Sequence, residues 1–431
     1  MNRPLSPLEH VVWLIDRGIQ QNFVMVARVS GGITEPILKQ TLDMIQLKYP
    51  PLRSKIKEGP APEFVMGDVP PIPLRIIERK DDNQWIKIVE DEMIDPLPWT
   101  IGPLVRVTQL VSPGKFDLLV TFCHVVADAT SGVLFVQNLL DFAEKLSRGQ
   151  SVDPGPSLPP LPAPDNLLKD DLKFEPQPAV DSLAAGTFGP VELAGDLDVP
   201  PDKRITRVIQ EILSPEETKK LVARCKEEHT SVHGALCAAF MQEIIRRIRY
   251  AREVPAEGPL VIGCVTPVDM RRHFSVPVAE YIGDFISQAI HYQPIDDKSS
   301  LWDAARVVKD SLQREINSGN DVKDICNIGE LLKTFSSSIA LARALNRSSA
   351  PVVATNLGRL TIPDQFGHLG LEELHFTVGV NADGKNGFGI SVTTFRGNLT
   401  INFLYAEPYI LKERAKTVVE NTMERIKKAI L

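Results

Sequence analysis

A proline-rich stretch near the middle of the chain is the feature that most limits how its 431 residues can fold. Proline fixes the backbone angle φ and has no N–H to donate, so a dense series of prolines cannot continue a helix or lie inside a sheet. The stretch is therefore predicted to be a long, semi-rigid crossover at residues 149–204, between an N-terminal subdomain at residues 1–148 and a C-terminal subdomain at residues 205–431. The prolines that define it include Pro154, Pro156, Pro159, Pro160, Pro162, Pro164, Pro176 and Pro178.

Strands alternate with helices on both sides of this crossover. Asn22 to Val29 has the composition of a strand, and helical spacing of apolar residues follows it. In the second half, a strand from about Ile205 to Leu213 precedes Ser214-Pro215-Glu216-Glu217, which has the form of a capping box with proline at the first helical position. The mixture predicts an α/β or α+β protein with a mixed sheet, flanked by helices, in each half. Further strands are predicted at Pro259 to Val268, at Gly387 to Phe395 and at Leu399 to Tyr405.

Charge and apolar patterning exclude several classes of partner. The formal net charge is -7 and the pI is near 5.7, and no basic run suggests a nucleic-acid footprint. No stretch approaches the roughly 18 consecutive apolar residues that span a bilayer, and the first residues lack the apolar core of a signal peptide. We therefore expect a cytoplasmic protein that has no transmembrane segment and binds no nucleic acid.

Cysteine and histidine spacing predicts neither a metal site nor a disulfide framework. The number of cysteines is odd, they are widely scattered and no C-x-x-C pair occurs among them. His229 and His233 have i, i+4 spacing, but they lack the acidic partner of H-E-x-x-H and straddle a predicted helix start. No bound metal is therefore predicted. The five cysteines are Cys123, Cys225, Cys237, Cys264 and Cys326.

One histidine is placed where it could act as a base. His124 follows the apolar, strand-like run Phe116 to Cys123, and helical spacing begins near Thr130. Histidine has an unperturbed pKa of about 6.5, so it can take and return a proton near neutral pH. Asp128, at the start of the helix, is favoured there by the helix dipole and can turn inward to hold the loop. H-x-x-x-D alone is a weak motif, and its alternative interpretation is a core histidine that hydrogen-bonds to backbone.

The motif is more informative together with its neighbours. A strand, then His124-x-x-x-Asp128, then a helix resembles the motif-bearing segment of the CoA-dependent acyltransferase superfamily. This superfamily includes chloramphenicol acetyltransferase, plant BAHD acyltransferases, condensation domains of peptide synthetases and polyketide-associated acyltransferases of phthiocerol-type lipids. Its signature is HHxxxDG, and similar segments occur in the same order along nearly the whole chain. The segment Thr230 to Leu236 is most similar to alcohol acetyltransferases and to the polyketide-associated branch. The other segments are Leu5 to Glu9, Tyr49 to Arg53, Gly102 to Val107, Val268 to Arg272 and Tyr281 to Phe285.

Two positions depart from the signature. Cys123 replaces its first histidine, whereas the second histidine carries the chemistry in this family. A nucleophilic Cys123 is conceivable, but adjacent strand residues point to opposite faces, so it could not easily pair with His124. Ala129 replaces the glycine and adds a Cβ where the family's loop turns tightly and substrate passes close. Both positions are therefore predicted to contact substrate and to influence substrate choice.

The resemblance implies a fold and a reaction. The fold would be two chloramphenicol-acetyltransferase-like domains with an active-site tunnel between them and His124 near its middle. His124 would deprotonate an acceptor hydroxyl or amine as it attacks an acyl thioester, with no acyl-enzyme intermediate. The expected co-substrate is acyl-CoA or an acyl-carrier protein, the acceptor is a small or lipid-like molecule, no cofactor is permanently bound, and the protein is a monomer.

The resemblance also implies further site residues, each with a structural alternative. Arg271, in the D-x-R pattern after Asp269, would pair with Asp128, although it could instead be a surface arginine. Asn356, after Thr355, would stabilise the oxyanion, although it could instead form an Asx turn at a strand end. Ser131 would contact substrate or cap the helix, and Thr355 would contact substrate.

Two other functions stay open. One is a condensation-type enzyme that forms an amide from carrier-bound substrates. The other is a non-catalytic scaffold that keeps the fold, for which Cys123 and Ala129 would be signs of relaxed chemistry.

Overall fold

The structure is a computed structural model that describes residues 2–20, 22–172, 190–250, 254–334, 350–380 and 387–431. Within it the chain forms two compact units. The first unit comprises Met1–Asp171, Asp269–Ile286 and Arg359–Gly379. The second comprises Leu172–Val268, Ser287–Gly358 and Val380–Leu431.

Helices and strands alternate along the chain on both sides of the crossover. Up to the crossover they are β1 Asn2–Pro4, α1 Pro7–Gly18, β2 Phe23–Ser30, α2 Glu35–Lys48, β3 Ser54–Lys57, β4 Glu63–Met66, β5 Leu74–Glu78, α3 Gln84–Glu92, β6 Val105–Ser112, β7 Lys115–Phe122, α4 Ala129–Ser147 and α5 Pro164–Leu167. After it they are β8 Ile205–Leu213, α6 Pro215–Glu227, α7 Val232–Tyr250, β9 Leu260–Asp269, β10 Ile286–Ile295, α8 Leu301–Ser318, α9 Asn320–Thr334, β11 Val352–Arg359, β12 Gln365–Phe366, β13 Leu369–Val378, β14 Phe388–Phe395, β15 Asn398–Glu407 and α10 Lys412–Ala429.

Each unit contains a six-stranded sheet. In the first unit the strand order is β12-β13-β2-β7-β6-β5, with β5 parallel to β6 and the other pairs antiparallel. In the second unit the order is β10-β9-β11-β14-β15-β8, and β9 and β11 run parallel. Strands β1, β4 and β3 form a small third sheet. The predicted fold class, a mixed sheet flanked by helices in each of two parts, is confirmed.

The first unit is discontinuous because a late strand joins an early one. Strand β13 pairs along its length with β2, from Gly370 beside Ser30 to Val378 beside Phe23. This pairing brings residues 359–379 into the first unit. The predicted division, with boundaries at residues 148 and 204, has each subdomain as one continuous segment and does not include this return of the chain. Part of the predicted crossover, including Pro176 and Pro178, lies outside the described residues.

Local signals explain where several helices begin. Ser214 and Glu217 form the predicted capping box, in which the Ser214 side chain accepts from the Glu217 N–H and the Glu217 side chain accepts from the Ser214 N–H. Ser6 and Glu9 form a second box at the start of α1. Asp128 caps α4 by accepting from the Ser131 N–H. Helix α4 packs against β2 and α2, which holds it on the sheet of the first unit.

In the second unit, α7 is the central helix. Most of its residues are buried, and it packs against α6, α8 and α10. Within the described part of the chain, no helix combines the length and the apolar character needed to cross a bilayer.

Candidate active site

His124 lies directly after the central strand β7. Phe122 ends the strand, and the Cys123 N–H donates to the Leu104 carbonyl at 3.0 Å, which extends the pairing by one residue. Residues His124–Val126 then form one turn of 3₁₀ helix before α4 begins. The histidine is therefore held at the end of a central strand, and its side chain remains 23% exposed.

A buried carboxylate faces the His124 ring. Asp284 Oδ2 lies 3.4 Å from His124 Nδ1, and the Asp284 side chain is only 5% exposed. This separation is that of an ion pair and is longer than a well-formed hydrogen bond. On its other side, the His124 ring is packed 5.3 Å from the ring of Phe23. The arrangement directs Nδ1 toward Asp284 and leaves Nε2 on the opposite edge of the imidazole.

The pKa values of this pair reflect burial and mutual attraction. Burial lowers the pKa of His124, but the Asp284 carboxylate more than offsets this, so the pKa of His124 is raised above its ordinary value. Burial raises the pKa of Asp284, although His124 acts in the opposite direction. His124 is therefore a stronger base than a free histidine.

Asp128 and Arg271 form a second charged pair near this loop. Arg271 Nη2 donates to Asp128 Oδ1 at 2.9 Å, and the two side chains are 14% and 2% exposed. Burial opposes ionisation of Asp128, but Arg271 prevails and lowers the pKa of that carboxyl. Arg271 also donates to Asp269 at 3.1 Å. The structure thus brings together Asp128 and Arg271, and Arg271 is not the surface arginine of the alternative interpretation.

The remaining atoms of Asp128 tie the start of α4 to the loop that carries Asp284. Asp128 Oδ2 accepts from the Phe285 N–H at 3.0 Å, and the Asp128 N–H donates to the Gly283 carbonyl at 3.0 Å. A Cβ on Gly283 would come within 2.3 Å of the Phe285 ring, which explains the glycine. Since these bonds flank Asp284 on both sides, they fix its position beside His124.

Ser131 takes part in the same network. It is 1% exposed, and its hydroxyl donates to the Gly283 carbonyl at 2.8 Å. The hydroxyl oxygen also accepts from the Gly283 N–H and from Arg271 Nη2, each at 3.1 Å. Ser131 therefore joins α4 to the loop, and its contact with substrate stays a prediction.

Cys123 and Ala129 occupy different environments. Cys123 is fully buried, and its Sγ lies 3.5 Å from Asp16 Oδ2. Burial and the Asp16 carboxylate raise the pKa of the Cys123 thiol well above its ordinary value. The thiol therefore stays protonated and has a partner other than His124, which does not favour a nucleophilic role. Ala129 is the half-buried first residue of α4.

Thr355 and Asn356 lie on β11, in the second unit. Asn356 Oδ1 accepts from the Gly358 N–H at 2.7 Å, and Gly358 has a φ of 67°. This is the Asx-type contact of the alternative interpretation. It occupies the amide oxygen, so the predicted oxyanion role would fall to the amide N–H₂ and stays a prediction.

Asp284 is the residue that sequence reasoning did not assign to the site. It lies in the segment Tyr281 to Phe285, whose resemblance to the family gave no role to the carboxylate. An acidic residue between Gly283 and two apolar residues, Phe285 and Ile286, is the signal that could have marked it.

His229 and His233, at which no metal site is predicted, lie in the second unit. His233 Nε2 lies 3.4 Å from both Cys237 Sγ and Thr266 Oγ1, and Thr266 Oγ1 lies 3.1 Å from His291 Nε2. Over the described ranges, no group of three or more histidine, cysteine or acidic side chains is arranged to hold a metal ion. The side chain of Cys326 lies outside the described part.

The second half of the chain matches a known protein family. Residues 202–404 match the family described as phthiocerol/phthiodiolone dimycocerosyl transferase C-terminus. The resemblance to the CoA-dependent acyltransferase superfamily is confirmed. A part of the chain is also 26% identical, over 174 residues, to a component of linear gramicidin synthase from Brevibacillus parabrevis. That match covers 37% of this chain and spans only 2% of the length of the synthase polypeptide.

Several solved structures share the fold over the whole chain. Polyketide synthase associated protein 5 from Mycobacterium tuberculosis is 17% identical with a TM-score of 0.66, covering 99% of this chain and 98% of that one. The epimerization domain from the third module of tyrocidine synthetase B is 16% identical with a TM-score of 0.70, covering 100% and 96%. A trichothecene 15-O-acetyltransferase from Fusarium sporotrichioides is 14% identical with a TM-score of 0.71, covering 100% and 95%. At these identities the likeness establishes the two-part acyltransferase and condensation-domain fold.

Proposed function

We propose that this protein is an acyltransferase that moves an acyl group from a thioester to a hydroxyl or amine acceptor, with His124 as the general base. The observation that carries the proposal is the pairing of His124 Nδ1 with buried Asp284 at the end of β7. A ring proton on Nδ1, facing the carboxylate, leaves a lone pair on Nε2. Nε2 is then the atom that takes the acceptor proton.

The proposed reaction is balanced without any further reagent. As the acceptor O–H or N–H bond breaks, its proton moves to His124 Nε2, and the acceptor atom forms a bond with the thioester carbonyl carbon. The tetrahedral intermediate collapses, the carbon–sulfur bond breaks, and the proton on Nε2 passes to the departing thiolate. The products are an ester or amide and a free thiol, and no acyl-enzyme is required.

Asp284, Asp128 and Arg271 act through His124 in this proposal. Asp284 orients the imidazole and stabilises the imidazolium that forms during attack. Asp128 holds the loop of Asp284 in place through its bonds to Gly283 and Phe285, and Arg271 holds Asp128 by donating to its carboxylate. These three are positioning residues, because none needs to touch the reacting atoms.

Five further residues are proposed to contact the substrates. Asn356 would donate to the carbonyl oxygen as negative charge develops on it, with Thr355 beside it. Cys123, Ala129 and Ser131 would shape the substrate site. The donor is acyl-CoA or an acyl-carrier protein, used as a co-substrate rather than a resident cofactor, and the acceptor is a small or lipid-like molecule.

Condensation to form an amide is the second candidate. The match to a segment of linear gramicidin synthase supports it. Both reactions use the same base. They differ in the acceptor and in the carrier of the acyl group.

A substrate panel tests the proposal and separates the candidates. The chain would be supplied with acyl-CoAs or acyl-carrier proteins, together with apolar alcohols or amines, and the products identified by mass spectrometry. An ester product supports the acyltransferase, whereas an amide formed only from carrier-bound substrates supports condensation. Absence of product with every donor and acceptor would favour a non-catalytic scaffold.

A further inference from the structure

Part of the proline-rich crossover is hydrogen-bonded to the loop that leads to Asp284. The Ser275 N–H donates to the Leu167 carbonyl at 2.8 Å, and the Lys169 N–H donates to the His273 carbonyl at 3.0 Å. Both segments belong to the first unit. Two backbone hydrogen bonds therefore attach the crossover to the loop.

The centre of this attachment is a pair of buried apolar residues. Leu168 and Phe274 form an isolated antiparallel bridge and are 2% and 5% exposed. The Phe274 ring meets the Phe285 ring edge-on, with centroids 5.5 Å apart and an interplanar angle of 80°, which is a favourable aromatic geometry. The Arg271 guanidinium carbon lies 4.9 Å from the centroid of the same Phe285 ring. Phe285 is thus in contact with both Phe274 and Arg271.

The crossover segment is itself held in place. Helix α5, Pro164–Leu167, packs against α1. Pro162 and Pro164 each fix φ, which restricts the backbone just before the attachment. The segment therefore gives the loop a fixed support.

The position of Phe285 matters because it is covalently bonded to Asp284. Its N–H donates to Asp128 Oδ2 at 3.0 Å. Asp284 Oδ2 lies 3.4 Å from His124 Nδ1, and the attraction between opposite charges weakens as their separation grows. A displacement of Phe285 would therefore change how strongly Asp284 acts on His124.

We propose that residues 167–169 of the crossover, acting through Phe274, position Asp284 against His124, so that Phe274 and Lys169 are positioning residues of the active site. The catalytic consequence rests on the proposed function. The effect on the His124 ring does not, because it is present in the protein without substrate.

Phe274→Ala tests the aromatic contact. In the full chain with ¹⁵N-labelled histidine, NMR follows the titration of the His124 ring, whose resonance is identified by its loss in His124→Gln. We expect the midpoint in Phe274→Ala to move to a pH about 0.5 lower, because Asp284 is held less closely. Phe142→Ala is the matched control, since it removes the same atoms at a site that is 6% exposed on α4. An unmoved midpoint in Phe274→Ala, or the same movement in Phe142→Ala, would overturn the proposal.

Lys169→Pro tests the backbone contact without opening a cavity, because Lys169 is exposed. Proline has no N–H to donate to the His273 carbonyl, and the φ of -57° and ψ of 141° at Leu168 suit a residue that precedes proline. Lys169→Ala keeps the N–H and loses only the 3.1 Å bond from Nζ to the Arg272 carbonyl. We expect Lys169→Pro to move the midpoint in the same direction as Phe274→Ala, and Lys169→Ala to leave it unchanged. Equal midpoints in Lys169→Pro and the wild type would contradict the proposal even if Phe274→Ala fails to fold.

A kinetic readout connects the positioning with catalysis. In Phe274→Ala, kcat for thiol release should fall about tenfold while KM stays within about twofold, because the orientation of a base affects the transition state rather than substrate binding. A raised KM with an unchanged kcat would contradict the positioning role. Since the NMR titration measures no turnover, a shifted midpoint in a chain without acyl transfer would support the positioning of Asp284 and refute the proposed function.

Discussion

Arg271 reaches back 143 residues along the sequence to donate to Asp128 at 2.9 Å, and both side chains are largely buried. A charge in such a position is stable only when its partner is present, since burial removes most of its hydration. The pair also holds the Gly283 to Phe285 loop, so it links the stability of the first unit to the geometry of His124.

Removal of the arginine should therefore destabilise the protein. We expect Arg271→Gln to lower the free energy of unfolding by about 3 kcal/mol, because Asp128 remains buried without its cation. Urea denaturation followed by circular dichroism measures the change. The matched control is the neighbouring, exposed Arg272→Gln, which should change it by less than about 0.5 kcal/mol. Equal effects of the two substitutions would show that the Asp128 pair is not buried as described.

The same pair predicts the acid sensitivity of the fold. The pKa of Asp128 is lowered in the folded protein, so its contribution to stability is complete above the unfolded value of about 3.9 and is lost as pH falls through the folded value. Asp128→Asn should thus be less stable than the wild type at pH 7 but should lose less stability on acidification below pH of about 4. Unfolding free energies measured across this range test the sign. Parallel pH curves for the two proteins would contradict it.

The pH dependence of activity should follow His124. Its pKa is raised and its neutral form is the base, so kcat/KM should fall on the acid side with a midpoint above the ordinary histidine value of about 6.5. Asp284→Asn removes the anion that raises the pKa of His124. We expect the midpoint to move to lower pH and kcat/KM at its optimum to fall about 10- to 100-fold. If the acid-side midpoint of kcat/KM in Asp284→Asn were the same as in the wild type, Asp284 would have no electrostatic effect on His124.

Cys123 should be dispensable for the chemistry. It is fully buried and the pKa of its thiol is raised, so no thiolate is available to form an acyl-enzyme. Cys123→Ala should retain activity within about threefold, apart from a packing cost near 1 kcal/mol in stability. Kinetic assay of this variant, with mass spectrometry of the wild type after incubation with acyl donor, checks the claim. An acyl adduct on Cys123 would replace the proposed mechanism with a covalent one.

Local sequence signals account for much of the fold. The capping box at Ser214, the strand at Ile205–Leu213 and the hairpin of β14 and β15 depend on residues that are neighbours in the sequence. Their patterns could therefore be read directly. The position of His124 after a buried strand was predictable for the same reason.

Long-range relationships could not be predicted in this way. The pairing of β13 with β2 and the approach of Asp284 to His124 join distant parts of the chain, and no local period specifies which strands or loops meet. Arg271 was assigned to Asp128 only through the family resemblance. The carboxylate of Asp284 had no such guide, although its burial and its position beside His124 make it central to the proposed mechanism.

The central claim is that His124 removes the acceptor proton, and the release of free thiol from an acyl donor in the presence of acceptor tests it most directly. His124→Ala is compared with His368→Ala, whose exposed histidine lies in the same unit. We expect kcat/KM to fall at least about 100-fold in His124→Ala and to be unchanged in His368→Ala. Equal rates of thiol release by the wild type and His124→Ala would contradict it.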